Sequence, residues 1–155
     1  MHAPQRPIRP ARPEHLEAIR ALLRECELPV EDLTPDDHSH FLVVHEGTRL
    51  RGCVGLEPAG DAALLRSLAV RPSDRGRGLG ARLVAAAERR ARAAEHRTLY
   101  LFTTTAADYF RDRGYERVER AALPAAIRQT EEAARLCPST APCLRKHLGP
   151  SEPPA

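Results

Sequence analysis

The amino-acid sequence predicts a single domain of the α/β (α+β) class, and three observations carry that expectation. The chain has 155 residues, a length that closes one substantial hydrophobic core. The stretch from Ala63 to Ala94, ALLRSLAVRPSDRGRGLGARLVAAAERRARAA, passes from a run of Leu, Ala and Val through a Pro-containing turn and three glycines into a long Ala/Arg segment, which reads as strand, loop and helix. Around it, short β-branched and apolar runs bounded by Gly and Pro alternate with segments whose apolar residues recur at helical spacing.

In order along the chain, Met1 to Gln5 is expected to be a flexible tail, and Pro7 to Ala11 a short edge strand, the place in a sheet where proline is tolerated. Pro13 suits a first helical turn, and Leu16, Ile19, Leu22, Leu23 and Cys26 repeat on one face to about Glu27. Leu28 to Leu33 breaks the helix, and Thr34 to His40 is polar. Phe41 to His45, Gly47-Thr48-Arg49 and Leu50 to Glu57 read as a β-hairpin, followed by a turn at Gly60-Asp61. In the long helix, Leu79, Leu83, Val84, Ala87 and Ala91 share a face while Arg82, Glu88, Arg89 and Arg92 fall elsewhere, so it packs on a sheet. Thr98 to Thr104 is a strand. Thr105 is the expected N-cap, paired with Asp108, of a helix from Ala106 to Arg113. Gly114 ends that helix, and Tyr115 to Val118 is a strand. Leu123-Pro124 opens a helix over Ala125 to Leu136, Cys143 to His147 is the last strand, and Gly149 to Ala155 is a second tail. The expected domain is 6–148.

Composition excludes several classes. Formal charge is +3, from 24 basic and 21 acidic residues, with arginines dispersed among acids rather than blocked, and with no Trp, three Phe and three Tyr there is little to stack bases on. No nucleic-acid partner is expected. No apolar run approaches the ~18 residues of a membrane span and MHAPQRPIRP lacks the apolar core of a signal peptide, so a cytoplasmic protein without a membrane partner is expected. Cys26, Cys53, Cys137 and Cys143 show no C-x-x-C pairing. Reduced thiols, no metal site and no tight arsenite site are expected.

The glycine loop is the chemical centre. Glycines without a Cβ let the amides at a helix start close round an anion, and the helix dipole adds partial positive charge there. Gly78 is followed by Leu79-Gly80 rather than Lys-Ser/Thr, which disfavours a P-loop, and the Pro-containing turn ahead of Gly76 disfavours a dinucleotide fingerprint.

Arg75, Gly78 and Gly80 instead resemble the acetyl-CoA motif of the GNAT N-acetyltransferases: Arg or Gln, two residues, Gly, one residue, Gly or Ala. Leu68-Ala69-Val70 is similar to the strand that faces pantetheine in that family. The resemblance implies a central mixed, largely antiparallel sheet with helices on both faces, acetyl-CoA as cofactor and a small-molecule amine as partner, with homodimers common in the family. It places the pyrophosphate on Arg75, Gly76, Arg77, Gly78, Leu79, Gly80 and Ala81, the thioester oxygen at the N–H near Leu68, and Thr105 against the cofactor. GCVGLE, ALLRSLAV, the Thr103-Thr104-Thr105 run, LPAAIRQT and LCPSTA together resemble the arsenic-resistance branch of bacterial GNAT acetyltransferases, over residues 8 to 148.

Acid and base are less well marked. The position where the family often carries a tyrosine, counted back from Gly114, is Phe110, which cannot donate a proton. Tyr109, Thr103, Thr104 or water are the remaining proton sources, and Glu57 is the nearest acid that can act as base through water. An α-amine with an ordinary pKa near 8 is partly neutral already. Arg66 shares a strand face with Leu64 and Leu68 by period two and is expected to point to the acceptor, where its guanidinium can grip a carboxylate, phosphinate or arsenical oxyanion. Asp32, Glu57, Thr103, Arg128 and Ser139 complete the expected acceptor set. The expected function is acetylation of the amine of a small, anionic, amino-acid-like substrate, in arsenic or antimetabolite resistance. A protein N-terminus or polyamine as acceptor, and a non-enzymatic CoA- or arsenite-binding sensor, are the alternatives.

Overall fold

Strands carry most of the architecture. A computed structural model describes residues 6–47, 49–130, 133–134 and 140–149. The elements are β1 (Arg9–Pro10), α1 (Leu16–Glu25), β2 (Phe41–Glu46), β3 (Arg49–Ala59), β4 (Ala62–Val70), α2 (Leu79–Ala93), β5 (Thr98–Phe102), α3 (Ala107–Arg111), β6 (Glu116–Val118), α4 (Ala125–Arg128) and β7 (Cys143–His147). The seven strands form one sheet in the order β1-β2-β3-β4-β5-β7-β6. β1–β2, β2–β3, β5–β7 and β6–β7 are antiparallel, and β4–β5 is parallel over Ala62↔Thr98 to Leu64↔Tyr100. The sheet is therefore mixed, and a parallel neighbour for β4 requires the helical crossover that α2 supplies.

Two compact units share this topology, Met1–Gly55 with Ser67–Ala87, and Leu56–Arg66 with Glu88–Ala155. In the first, Ile19, Leu22 and Leu23 of α1 are buried with Phe41, Val43, Leu50, Cys53 and Ala69. Each large aliphatic chain there contributes about 1.5–3 kcal/mol through area removed from water. Gly52 explains how closely α2 lies on β3: a Cβ there would stand 3.0 Å from Leu83 Cδ1, 3.2 Å from Ala69 O and 3.3 Å from Leu79 Cδ2. In the second, Ala59, Ala62, Leu64, Tyr100, Val118, Leu123, Ile127 and Cys143 form the core.

Several boundaries differ from expectation. Thr34 to His40 is not merely a polar loop, because Pro35–His40 winds as a 3₁₀ helix closed by Asp37, whose carboxylate accepts the Thr34 N–H at 2.7 Å. Thr105 does not cap α3. Ala106 holds the N-cap position, and Thr103 Oγ1 reaches forward to accept the Ala106 N–H at 2.9 Å. Of the helix expected over Ala125 to Leu136, α4 covers Ala125–Arg128; Thr130 Oγ1 then donates to Ile127 O at 2.7 Å and accepts the Ala133 N–H, and residues 133–134 are again helical, with the Ala134 N–H on Thr130 O at 2.9 Å. The remainder of that expected helix falls largely outside the described residues, as do Cys137 and Ser139. Cys26, Cys53 and Cys143 are free thiols.

Candidate functional site

Ser67 sits mid-strand with φ 56°, left-handed backbone that a serine adopts only under constraint. That residue interrupts the period-two alternation of β4. Arg66 keeps the phase of Leu64 and is 5% exposed, but the expected continuation of the same face to Leu68 does not follow across a left-handed residue. Within the first unit the irregularity is held from β3, where the Cys53 thiol donates to Ser67 O at 3.4 Å. Burial pushes the Cys53 thiol pKa up, so the group acts as a donor and not as a nucleophile. Beyond it Leu68 and Val70 are half-buried and Ala69 is buried.

The turn after β4 is short. Pro72–Asp74 makes one 3₁₀ turn, Arg75 is extended, and Gly76 and Gly78 take φ 81° and 78°, which disfavours any side chain at these two positions. Arg82 N–H bonds Gly78 O at 3.1 Å and closes the first turn of α2. The amides of Leu79, Gly80 and Ala81 precede that bond and have no acceptor within the helix. A Cβ built on Gly76 or Gly78 meets nothing within 4 Å, so open space lies against the loop. Orphan amides, a positive helix end and clear space fit a pyrophosphate. Arg75 is exposed, its Nε donating to Val70 O at 3.1 Å and its Nη2 lying 3.6 Å from Cys26 Sγ. Gly76 and Arg77 are exposed and Leu79 is buried.

The loop is pinned by residues that the motif did not reveal. Asp74 is 7% exposed and its carboxylate accepts from the Arg51 guanidinium of β3. Arg51 also pairs with Glu46, whose carboxyl that hydrogen bond holds below the usual carboxylate range. Arg71 Nε donates to Leu50 O at 2.8 Å, and its Nη1 pairs with Glu25 at 3.2 Å. A separation of 23 positions between Arg51 and Asp74 leaves no local signal to read.

In the second unit, Arg66 of β4 and Glu57 of β3 approach to 3.6 Å between Nη1 and Oε1, with side chains 4% and 28% exposed. Phe102 is half-buried under Arg120, whose guanidinium carbon lies 5.0 Å from the ring centroid. Thr103, half-buried, uses its hydroxyl oxygen on the Ala106 amide, and Thr105 is exposed. Tyr109 is half-buried with the Arg113 guanidinium carbon 3.7 Å from its ring centroid, and Phe110 is buried edge-on to Tyr115. Tyr115 is itself unsuited to proton donation at neutral pH: its hydroxyl is bonded to Glu88 at 3.0 Å, and burial followed by that carboxylate drives its pKa far up. Glu88 also receives the Lys146 ammonium at 3.0 and 3.2 Å. Arg128 is exposed on α4. In the first unit, Asp32 is half-buried and lies in the turn after α1. Among the described residues no group of three or more His, Cys, Asp and Glu side chains could hold a metal ion. No described helix is long and apolar enough to cross a membrane.

A parallel β4–β5 pair, an irregular β4 and a glycine turn opening onto a helix N-terminus together make a loop that fits a phosphate-bearing ligand. The profile of the Acetyltransferase (GNAT) domain family matches residues 37–117, more than half of the chain, and the chain belongs to that family. It is 39% identical over 88 residues to an amino-acid acetyltransferase of Ectopseudomonas mendocina (strain ymp), covering 56% of this chain and 20% of that protein. With the amino-acid acetyltransferase of Pseudomonas syringae pv. syringae it shares 38% over 90 residues, 57% of this chain and 21% of the relative. The match thus spans about a fifth of the length of these curated relatives. Among solved structures, N-acetylglutamate synthase from Neisseria gonorrhoeae complexed with coenzyme A and N-acetyl-glutamate superposes with a TM-score of 0.83 at 23% identity, over 96% of this chain and 36% of that one. A GNAT-family acetyltransferase from Staphylococcus aureus Mu50 superposes with 0.73 at 14% identity, over 94% and 100%. At these identities the likeness is one of fold.

Proposed function

We propose that this GNAT-family protein is an acetyl-CoA-dependent acetyltransferase acting on the α-amine of a small, anionic, amino-acid-like acceptor, and that the buried Arg66 carries this specificity. An arginine 5% exposed in a strand is tolerated only beside anionic partners, and Glu57 is one at 3.6 Å. An acceptor carboxylate, phosphinate or arsenical oxyanion would compete for the same guanidinium and gain a charge-assisted contact. The naming of the relatives as amino-acid acetyltransferases supports the reading. The motif resemblance to the arsenic-resistance branch supports an arsenical or phosphinate antimetabolite within that class.

In this reading the amides of Gly76 to Ala81 hold the pyrophosphate, with Arg75 and Arg77 adding charge from the loop. Acetyl-CoA supplies the acetyl thioester that the acceptor amine takes up. In the same reading the Leu68 amide, next to the left-handed Ser67, stabilises developing negative charge on the thioester carbonyl oxygen. Glu57 receives the amine proton through water once an acceptor anion has drawn Arg66 away from it, and solvent protonates the departing thiolate. Neither Phe110 nor Tyr115 can serve that step.

Acetyl-CoA turnover followed by thiol release, across amino acids, an amino-acid phosphinate, an amino-acid arsenical, a polyamine and a peptide N-terminus, tests the assignment. The expected result is selective turnover of the anionic amines. Turnover confined to the polyamine or the peptide would overturn it.

A further inference from the structure

The segments flanking the glycine loop are tied into one polar belt. Arg51 Nη1 holds the Asp74 carboxylate directly ahead of the loop, and Arg51 Nη2 holds Glu46. Glu46 in turn receives Arg6 Nη2 at 2.9 Å. Arg6 closes the belt on the far side of the loop, because its carbonyl oxygen accepts from Arg82 Nη2, in the first turn of α2, at 2.8 Å. Arg51 adds a main-chain tie: its carbonyl accepts the Arg71 N–H at 2.8 Å, and the Arg71 carbonyl accepts the Asp74 N–H at 2.8 Å. The span 75–81 is therefore tied at its start by the Arg51 side chain of β3 and at its end by the Arg82 side chain on the main-chain carbonyl of Arg6.

Charge makes Arg51 the key member. The Asp74 side chain is 9% exposed and sits one residue ahead of Arg75, on the approach to a site for a doubly anionic pyrophosphate. Its carboxylate is compatible with that ligand only while a cation neutralises it. The outer pairs of the belt are open to solvent, with side chains 52% and 43% exposed at Arg6–Glu46, so they add little to global stability.

We infer that Arg51 is a positioning residue for acetyl-CoA: it holds the turn before the glycine loop in register and screens the Asp74 carboxylate from the pyrophosphate. This rests on the reading of residues 75–81 as the pyrophosphate site. Arg51→Met should raise the acetyl-CoA KM by on the order of ten-fold, the size of one lost charge contact. Its kcat and acceptor KM should stay within about two-fold of wild type. Arg51→Met/Asp74→Asn should recover most of the acetyl-CoA affinity, because the uncompensated carboxylate is gone. Gly78→Glu, which puts a side chain and a negative charge in the loop itself, separates the two ideas. Loss of acetyl-CoA binding in calorimetry for Gly78→Glu, a raised KM for Arg51→Met and recovery in the double variant together support the inference. Gly78→Glu losing binding while Arg51→Met keeps a wild-type acetyl-CoA KM refutes the belt alone. Wild-type binding by Gly78→Glu refutes the pyrophosphate site and the belt with it. A lower Tm for Arg51→Met with no recovery in the double variant makes Arg51 purely structural and also refutes the inference.

Discussion

Replacing Arg66 by leucine separates a substrate contact from a structural ion pair. In the resting protein the guanidinium lies 3.6 Å from Glu57, a distance at which Coulomb attraction acts but which is beyond hydrogen-bond reach. Glu57 is 28% exposed, so on losing its partner the carboxylate can turn to water, and the stability cost should be about 1 kcal/mol rather than the 3–5 kcal/mol of stranding a fully buried charge. For a chain of this length that is about 2–4 °C in Tm. The kinetic effect should be far larger. A charge-assisted contact to an acceptor anion in a site shielded from water is worth about 3 kcal/mol, which is on the order of 100-fold in acceptor kcat/KM. The acetyl-CoA KM should hold within about two-fold. Steady-state kinetics with thiol release, beside a thermal melt, reads all three quantities. Normal acceptor kinetics in a protein destabilised by several kcal/mol would refute the reasoning, because Arg66 and Glu57 would then exist for each other.

Gly52→Ala should lower Tm by about 2–8 °C, since its methyl group would stand 3.0 Å from Leu83 and 3.2 Å from a β4 carbonyl, an overpacking worth about 1–2 kcal/mol; calorimetric melting checks it. Tyr115→Phe should cost about 1 kcal/mol by removing the hydrogen bond to Glu88 while leaving kcat unchanged, measured by denaturant unfolding beside turnover. Burial, then the neighbouring His45, lowers the His15 pKa from 6.5, so the unfolded chain binds the proton more readily. The corresponding stability is complete above 6.5 and is lost as pH falls through the depressed folded value; a His15 NMR titration with its midpoint below 6.5 checks this.

How much of this could be read from sequence depends on the range of the interaction. The strand, glycine turn and helix from Ala62 to Ala93 are legible because positive φ at Gly76 and Gly78 and the apolar stripe Leu79, Leu83, Val84, Ala87 and Ala91 are constraints written within a few residues of where they act. Strand periodicity placed Arg66 with Leu64, but nothing local announces that Ser67 takes φ 56°, so the phase beyond it was not readable. Thr105 looked like a cap by spacing, and Thr103 took the role because its hydroxyl reaches the Ala106 amide from outside the turn. The ties that matter most to the loop, Arg51 to Asp74 and Arg82 to Arg6, join residues 23 and 76 positions apart. Only the folded chain brings such pairs together.

Lys146 is the sole lysine of the chain. All three of its ammonium protons are engaged, two by Glu88 and one by the Arg113 carbonyl at 3.0 Å. On the proposed function, a protein that handles an activated acetyl donor is exposed to stray acylation of its own surface amines. Here the 23 remaining basic side chains are arginines, whose guanidinium groups do not give up a proton under cellular conditions and so offer no nucleophile. The same chemistry limits the bench: amine-directed labels, cross-linkers and coupling resins find almost nothing to grip except the α-amine, so this protein is best tethered through a thiol such as the half-buried Cys26.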